Sequence, residues 1–236
     1  MGFRKINFST GEFYHIYNRG NSKQKIFLDN QDYDRFLKLL YLCNSNRNVN
    51  FREDIVDQKI DAFDFDRDQL IVSIGAWVIM SNHFHLYLTI PQRSFLGDEA
   101  ISAFIKKLCT AYSMYFNKKY NRTGSLFEGK FKSEHVDNDV YAKYIFSYIH
   151  LNPVKLIYSD WKQKGLKDSR KVLEFLSNYK WSSYLDHRGV KRAENRIIGL
   201  TDFPNYFSDQ KVFDEEIFDW LTLNPKGPKG LSFGNF

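Results

Sequence analysis

Hydrophobic and polar positions along the chain change period several times, and each period predicts an element. "EFYHIYNRG" (12–20) reads as a strand closed by a glycine turn. "NQDYDRFLKLLYLCN" (30–44) carries apolar residues at helical spacing behind Asn30 and Asp32, which predicts a helix with its cap. "LIVSIGAWVIM" (70–80) is continuously apolar, as a strand buried on both faces would be. Only Ser81 and Asn82 separate it from "HFHLYLT", so the two should form an antiparallel hairpin near the centre of a sheet. Side chains alternate along a strand, so His83, His85 and Tyr87 share one side while Phe84, Leu86 and Leu88 share the other. The two imidazoles therefore point the same way.

Over 98–120, Ile101, Phe104, Ile105, Leu108, Tyr112 and Tyr115 make a helical stripe, with Lys106, Lys107, Lys118 and Lys119 off it. "DNDVYAKYIFSYIHLNP" (137–153) predicts another helix, opened by Asp137 or Asn138 and stopped by Pro153. Between these two helices, 121–136 reads as a loop. Residues 46–68 are polar without a clean period, which predicts a long loop or an insertion. Beyond "DSRKVLEFLSNYKWSSYLDHRG", which suggests one more helix and a closing element, residues 189–236 read as a partly ordered extension to a main domain spanning 1–188.

Composition narrows the class. The chain has 236 residues, 43% hydrophobic and 26% charged, with 22 Phe and 15 Tyr, enough to fill a core beneath a solvated surface. A formal charge of +6 favours anionic partners such as nucleic acid, although charge alone leaves the matter open. Only Cys43 and Cys109 are present, and without CxxC spacing they argue against both a disulfide framework and a thiolate metal cluster. There is no apolar leader and no apolar run as long as the roughly 18 residues of a membrane span, so a cytoplasmic protein with no membrane partner is expected.

Two strand histidines invite a divalent cation, which needs at least a third protein ligand. Tyr148 and Asn152 stand at i and i+4, one above the other on a single helix face. An amide oxygen is an acceptable hard ligand, and a phenol beside a metal loses its proton more easily than its reference pKa of about 10 implies. Such a phenolate, in line with a polarised phosphate, is a nucleophile. Each residue also has an ordinary reading: the histidines as polar residues of a half-exposed face, Tyr148 as packing, Asn152 as a helix stop before Pro153. Tyr144, one turn earlier, is the competing nucleophile; His150 lies about 200° around the helix from Tyr148 and is left out. In the 121–136 segment Arg122, Lys130 and Lys132 interleave with Phe127 and Phe131, a mixture suited to a phosphate backbone with stacked bases.

Taken together, "YHIYNRGN", "MSNHFHLYLT", "RTGSLFEGKFKS", "YIHLNPVKL" and "WSSY" make the chain resemble a REP-associated tyrosine transposase, a branch of the single-tyrosine HUH transposases. The resemblance covers about residues 10–187. It implies an α+β, ferredoxin-like fold: an antiparallel sheet carrying the histidines centrally, helices on one face, DNA across the other side. It also implies His83, His85 and Asn152 as ligands of Mg²⁺ or Mn²⁺ and Tyr148 as the nucleophile.

The function expected from it is a metal-dependent single-stranded DNA endonuclease and strand transferase, acting on hairpin DNA through a 5′-phosphotyrosine intermediate, as a monomer or homodimer. Arg122, Lys130 and Lys132 would contact the backbone, and Phe127 would either stack on a base or fill the core. The alternatives are a non-catalytic nucleic-acid-binding module and a metal-dependent hydrolase that uses water.

Overall fold

A computed structural model describes residues 6–166, 168–205 and 209–222. Four strands, β1 (Phe13–Arg19), β2 (Ser73–Met80), β3 (His83–Thr89) and β4 (Lys132–Val136), form one antiparallel sheet in the order β2-β3-β1-β4. With α1 (Asn30–Leu42) between β1 and β2, and α2 (Ala100–Lys119) between β3 and β4, this is the ferredoxin-like α+β arrangement the motifs imply.

The strand pattern decides which side of the sheet each residue joins. Tyr14, Ile16, Phe84, Leu86 and Leu88 point toward α1 and α2, where they meet Phe36, Leu40, Phe104, Leu108 and Tyr112 in one core. Full burial of each such aromatic or aliphatic side chain contributes about 2 kcal/mol. His15, Tyr17, His83, His85 and Tyr87 occupy the opposite face.

That second face is also covered. α3 (Asp139–Leu151) packs there against Ala76, Val78, Met80 and Tyr87, using Ile145, Tyr148 and Ile149. Helices thus lie on both sides, α1 and α2 on one and α3 on the other, and not on one face alone as the motifs imply. The added layer is what brings the tyrosine helix over the histidines. Behind α3, α5 (Ser169–Asn178) and α7 (Gln210–Thr222) contribute Val172, Leu176, Phe213, Ile217 and Leu221 to the same core, with α4 (Trp161–Lys164) and α6 (Tyr184–His187) as short connectors.

α3 begins where Asn138 accepts the Tyr141 amide N–H at 2.8 Å. Its end is less abrupt than Pro153 suggests. The α-helix passes at Asn152 into a 3-10 turn that runs to Leu156, and Asn152 keeps helical angles (φ −55°, ψ −40°). A residue before proline is normally pushed out of that region. Because Asn152 stays in it, Tyr148 and Asn152 remain on one helix face.

Three irregular segments are more structured than their sequences suggest. Residues 121–136, read as a loop throughout, end in β4, whose short run "KSEHV" is too polar to announce a strand but pairs with β1 at the sheet edge. The 46–68 segment folds into a π-helical turn at Phe51–Val56 and a 3-10 turn at Ala62–Asp64, and places Ile55 and Phe63 in the core. Within the 189–236 extension, α7 buries Phe213, Ile217 and Leu221; residues 223–236 lie outside the described residues.

Candidate active site

Strand register assembles one side of the site. Tyr17 pairs with His85 and Arg19 with His83 across β1 and β3, while His15 pairs with Glu134 across β1 and β4. His83 and His85 are 5% and 0% exposed, with ring centroids 5.0 Å apart and planes at 85°. α3 supplies the other side. The Tyr148 ring stands edge-on to His85 at 5.5 Å and to His15 at 6.1 Å, and Asn152 is buried one turn further on. His83, His85, Tyr148 and Asn152 are thus brought together. Tyr144, the competing tyrosine, sits one turn back, 6.0 Å from Tyr148 and 5.0 Å from Trp220 of α7.

Polar contacts across three strands favour one set of histidine tautomers. His15 Nδ1 faces Glu134 Oε2 at 3.6 Å, and His15 Nε2 lies 2.9 Å from His85 Nδ1. Burial lowers the His15 pKa against the opposing pull of Glu134, so the ring is neutral at pH 7. A carboxylate only accepts, so the facing Glu134 favours the His15 proton on Nδ1, which leaves Nε2 as an acceptor. In that tautomer His85 Nδ1–H donates to it. Its lone pair for a metal is consequently on Nε2. His83 is held similarly, Nδ1 being 2.6 Å from the Asn82 side-chain oxygen. Tyr17 and Tyr141 hydroxyls donate to Glu134 at 3.0 and 2.8 Å and anchor the far end of the chain.

Both candidate ligands are poised in the form a cation requires. Burial, aided by the positive charge of Lys155, pushes His83 down to about 4. Burial and the neighbouring histidines hold His85 well below the ordinary imidazole value. Tyr148 moves the other way: burial, reinforced by Tyr144, raises its pKa, while the nearby Asn152 amide favours the phenolate. Asn152 approaches both His83 and Tyr148 without regular hydrogen-bond geometry, so its Oδ1 and Nδ2 are buried with no hydrogen bond.

A buried, unsatisfied amide oxygen beside two neutral imidazoles fits a divalent cation, since an orphaned acceptor costs free energy unless something occupies it. Among the described residues no group of three or more His, Cys, Asp or Glu could hold a metal. An ion there would need a donor of another type, and the buried amide of Asn152 is the neighbouring candidate, with solvent or substrate oxygens to complete the shell.

The predicted DNA-contacting residues lie apart from this cluster. Lys130 is exposed beside an open groove between α2 and the 121–131 loop; Arg122 lies near the Phe116 ring at 5.6 Å; Lys132 is exposed on β4 next to Tyr17. Phe127 is 6% exposed, its ring 6.1 Å from Phe84, which places it in the core of the two readings left open.

Sequence reasoning missed His15, Glu134, Lys155 and Lys162. Lys155 had a signal: Tyr148, Asn152 and Lys155 continue the i, i+4, i+7 face. His15 had a weaker one, sharing the Phe13 and Tyr17 side of its strand. Glu134 and Lys162 had none, because each depends on a pairing made only in the folded chain.

Fold and site together define a sheet-borne histidine pair faced by a helix-borne tyrosine, with an amide between them. The family model of IS200-like transposases matches residues 32–152, and the chain belongs to that family of DNA-acting enzymes. No curated protein matches the chain. Similar solved structures include that of a REP-associated tyrosine transposase bound to a REP hairpin, with a TM-score of 0.46 and 14% identity, covering 82% of this chain and 90% of that one. No helix among the described residues is long and apolar enough to cross a membrane.

Proposed function

We propose that this transposase cuts and rejoins single-stranded DNA beside a hairpin, as a member of the REP-associated branch, with Tyr148 as the nucleophile. The observation that carries the reading is the meeting of the Tyr148 ring with His85 at 5.5 Å across the interface between sheet and helix. A divalent cation, Mg²⁺ or Mn²⁺, held by His83, His85 and Asn152, would supply Lewis-acid polarisation of the scissile phosphate.

Tyr148 oxygen attacks phosphorus and the bond from phosphorus to the 3′-oxygen breaks, leaving a 5′-phosphotyrosine ester. The phenolic proton is released, and the departing 3′-oxygen takes one up by way of solvent. The ester keeps the energy of the cleaved bond, so a 3′-hydroxyl can reverse the step. Burial of Tyr148 excludes water from that ester and favours rejoining over hydrolysis. His15 and Glu134 hold the His85 tautomer, and Arg122, Lys130 and Lys132 would contact the DNA backbone.

The test incubates the protein with Mn²⁺ and labelled hairpin DNA carrying single-stranded flanks, followed by a denaturing gel. A covalent adduct that Tyr148→Phe abolishes and Tyr144→Phe retains is expected. Free cleaved product without adduct would mean hydrolysis by water, and a shifted native band alone would mean a binding module.

A further inference from the structure

The nucleophile borders a tight surface cleft bounded by Tyr148, Asn152, Lys155, Lys162 and Trp220. Two ammonium groups enter it from separate elements. Lys155 comes from the 3-10 turn that continues α3, its Nζ 5.8 Å from the Tyr148 ring centroid; Lys162 comes from α4, its Nζ at 4.5 Å. α4 is anchored by the buried Trp161, and its acidic neighbour Asp160 is taken by Lys164 at 2.9 Å. No carboxylate lines the cleft, and neither Lys155 nor Lys162 has an ion pair among the described residues.

Two half-buried cations side by side, without a counter-charge, are unfavourable in an empty pocket, because each loses hydration and repels the other. The cost is visible: burial and the charge of Lys155 push Lys162 down to about 8, and burial lowers Lys155 as well. At about 8, Lys162 still carries most of its charge at pH 7. A bound anion would reverse the penalty, and the anion that must lie against Tyr148 during cleavage is a phosphodiester.

We propose that Lys155 and Lys162 form a two-sided clamp on the phosphodiester attacked by Tyr148, each ammonium donating to a non-bridging oxygen. The clamp deepens the proposed cleavage reading and rests on it for the identity of the anion. It supplies positive charge from the tyrosine side, opposite the histidine face, where negative charge grows as the new bond forms. It also offsets the burial that disfavours the Tyr148 phenolate.

Two measurements test it. In the first, Tyr148→Phe protein, full length, is acylated with an N-hydroxysuccinimide ester with and without a degenerate single-stranded oligonucleotide pool, and lysine labelling is read by mass spectrometry. DNA should protect Lys155 and Lys162 at least about threefold, as expected when an ammonium is engaged by phosphate. Equal labelling in both samples overturns the clamp. In the second, Lys155→Gln, Lys162→Gln and the double variant are assayed for adduct formation with Mn²⁺. Each single change should slow the adduct about tenfold and the double at least a hundredfold, the scale of losing donors to a developing oxyanion. Lys→Arg at either site should restore most of the rate. A double Gln variant that retains native circular dichroism and reacts within twofold of wild type overturns the proposal. Adduct formation with unprotected lysines would defeat the clamp and leave the cleavage reading intact, whereas protected lysines with no adduct in the wild type would do the reverse.

Discussion

Two histidine clusters lie on opposite sides of α3, and they look alike by burial alone. His83 and His85 face one side of the helix; His150, from the helix itself, packs with His187 on the other, ring centroids 5.0 Å apart. In both clusters burial pulls the pKa down, His83 and His187 each to about 4. The difference is what surrounds the rings. His150 Nε2 meets Ser183 Oγ at 2.7 Å, His187 Nε2 meets the Gly75 carbonyl at 3.0 Å, and Phe146 and Phe213 wall off the remainder. His83 and His85 have their Nδ1 atoms engaged and share their space with an unsatisfied amide, a phenol and two ammonium groups. A perturbed histidine therefore identifies a buried one, and it is the company of Asn152, Tyr148 and the lysines that marks chemistry.

Removing one member of each cluster gives the sharpest contrast. His85→Ala should abolish adduct formation and weaken Mn²⁺ binding at least about a hundredfold, since losing a ligand must exceed the 10- to 100-fold cost of losing its outer-shell partner. His150→Ala should leave Mn²⁺ affinity unchanged and instead lower stability by about 2–5 kcal/mol, because a buried ring is lost from between Phe146 and Phe213 and Ser183 loses one of its partners. Calorimetric Mn²⁺ titration and urea unfolding of both variants check this. Equal Mn²⁺ affinity in His85→Ala and wild type would erase the distinction between the clusters.

A second contrast is in acid. The His187 pKa is depressed from 6.5 to about 4, so between these values the unfolded chain binds more protons than the folded one. Its contribution is fully present above about pH 6.5 and is lost as the pH falls toward 4, at most about 3 kcal/mol. His187→Phe should flatten this limb of the stability profile, measured by urea unfolding between pH 7 and 4. An unchanged slope would mean that the ring is protonated in the folded state. Mn²⁺ should protect the first cluster against acid and leave the second unaffected.

How much of this was legible beforehand follows from the range of each interaction. The hairpin of β2 and β3, the α2 stripe and the shared face of Tyr148 and Asn152 are local periodicities, and each emerged where the sequence placed it. β4 did not, because "KSEHV" has no apolar alternation and becomes a strand only through pairing with β1. Lys162 was hidden for a related reason: its approach to Tyr148 depends on how Trp161 anchors α4. Asn152 is the instructive case. Pro153 argued for a helix stop, yet the residue keeps helical angles that its neighbour disfavours, so the local rule failed at the position where the amide is needed.

The smallest expected effect tests the row Glu134, His15 and His85 in the first cluster, for which the second has no equivalent. With His15 removed, nothing on β1 accepts the His85 Nδ1 proton, and the ring can place its proton on Nε2, the atom a metal needs bare. His15→Ala should therefore weaken Mn²⁺ binding about tenfold, near the lower end of outer-shell losses. Glu134→Gln should cost less, since an amide oxygen in the Oε2 position can still accept from His15 and Tyr141, while the Tyr17 hydroxyl turns to accept from the amide N–H. Nitrogen-15 NMR of the histidine side chains, without metal, separates tautomer from packing. In the wild type His85 should carry its proton on Nδ1; in His15→Ala the Nε2–H form should gain population in step with the lost affinity. A variant that loses affinity while His85 keeps its Nδ1 proton would reduce His15 to a packing residue and leave the two clusters differing only in what the α3 side contributes.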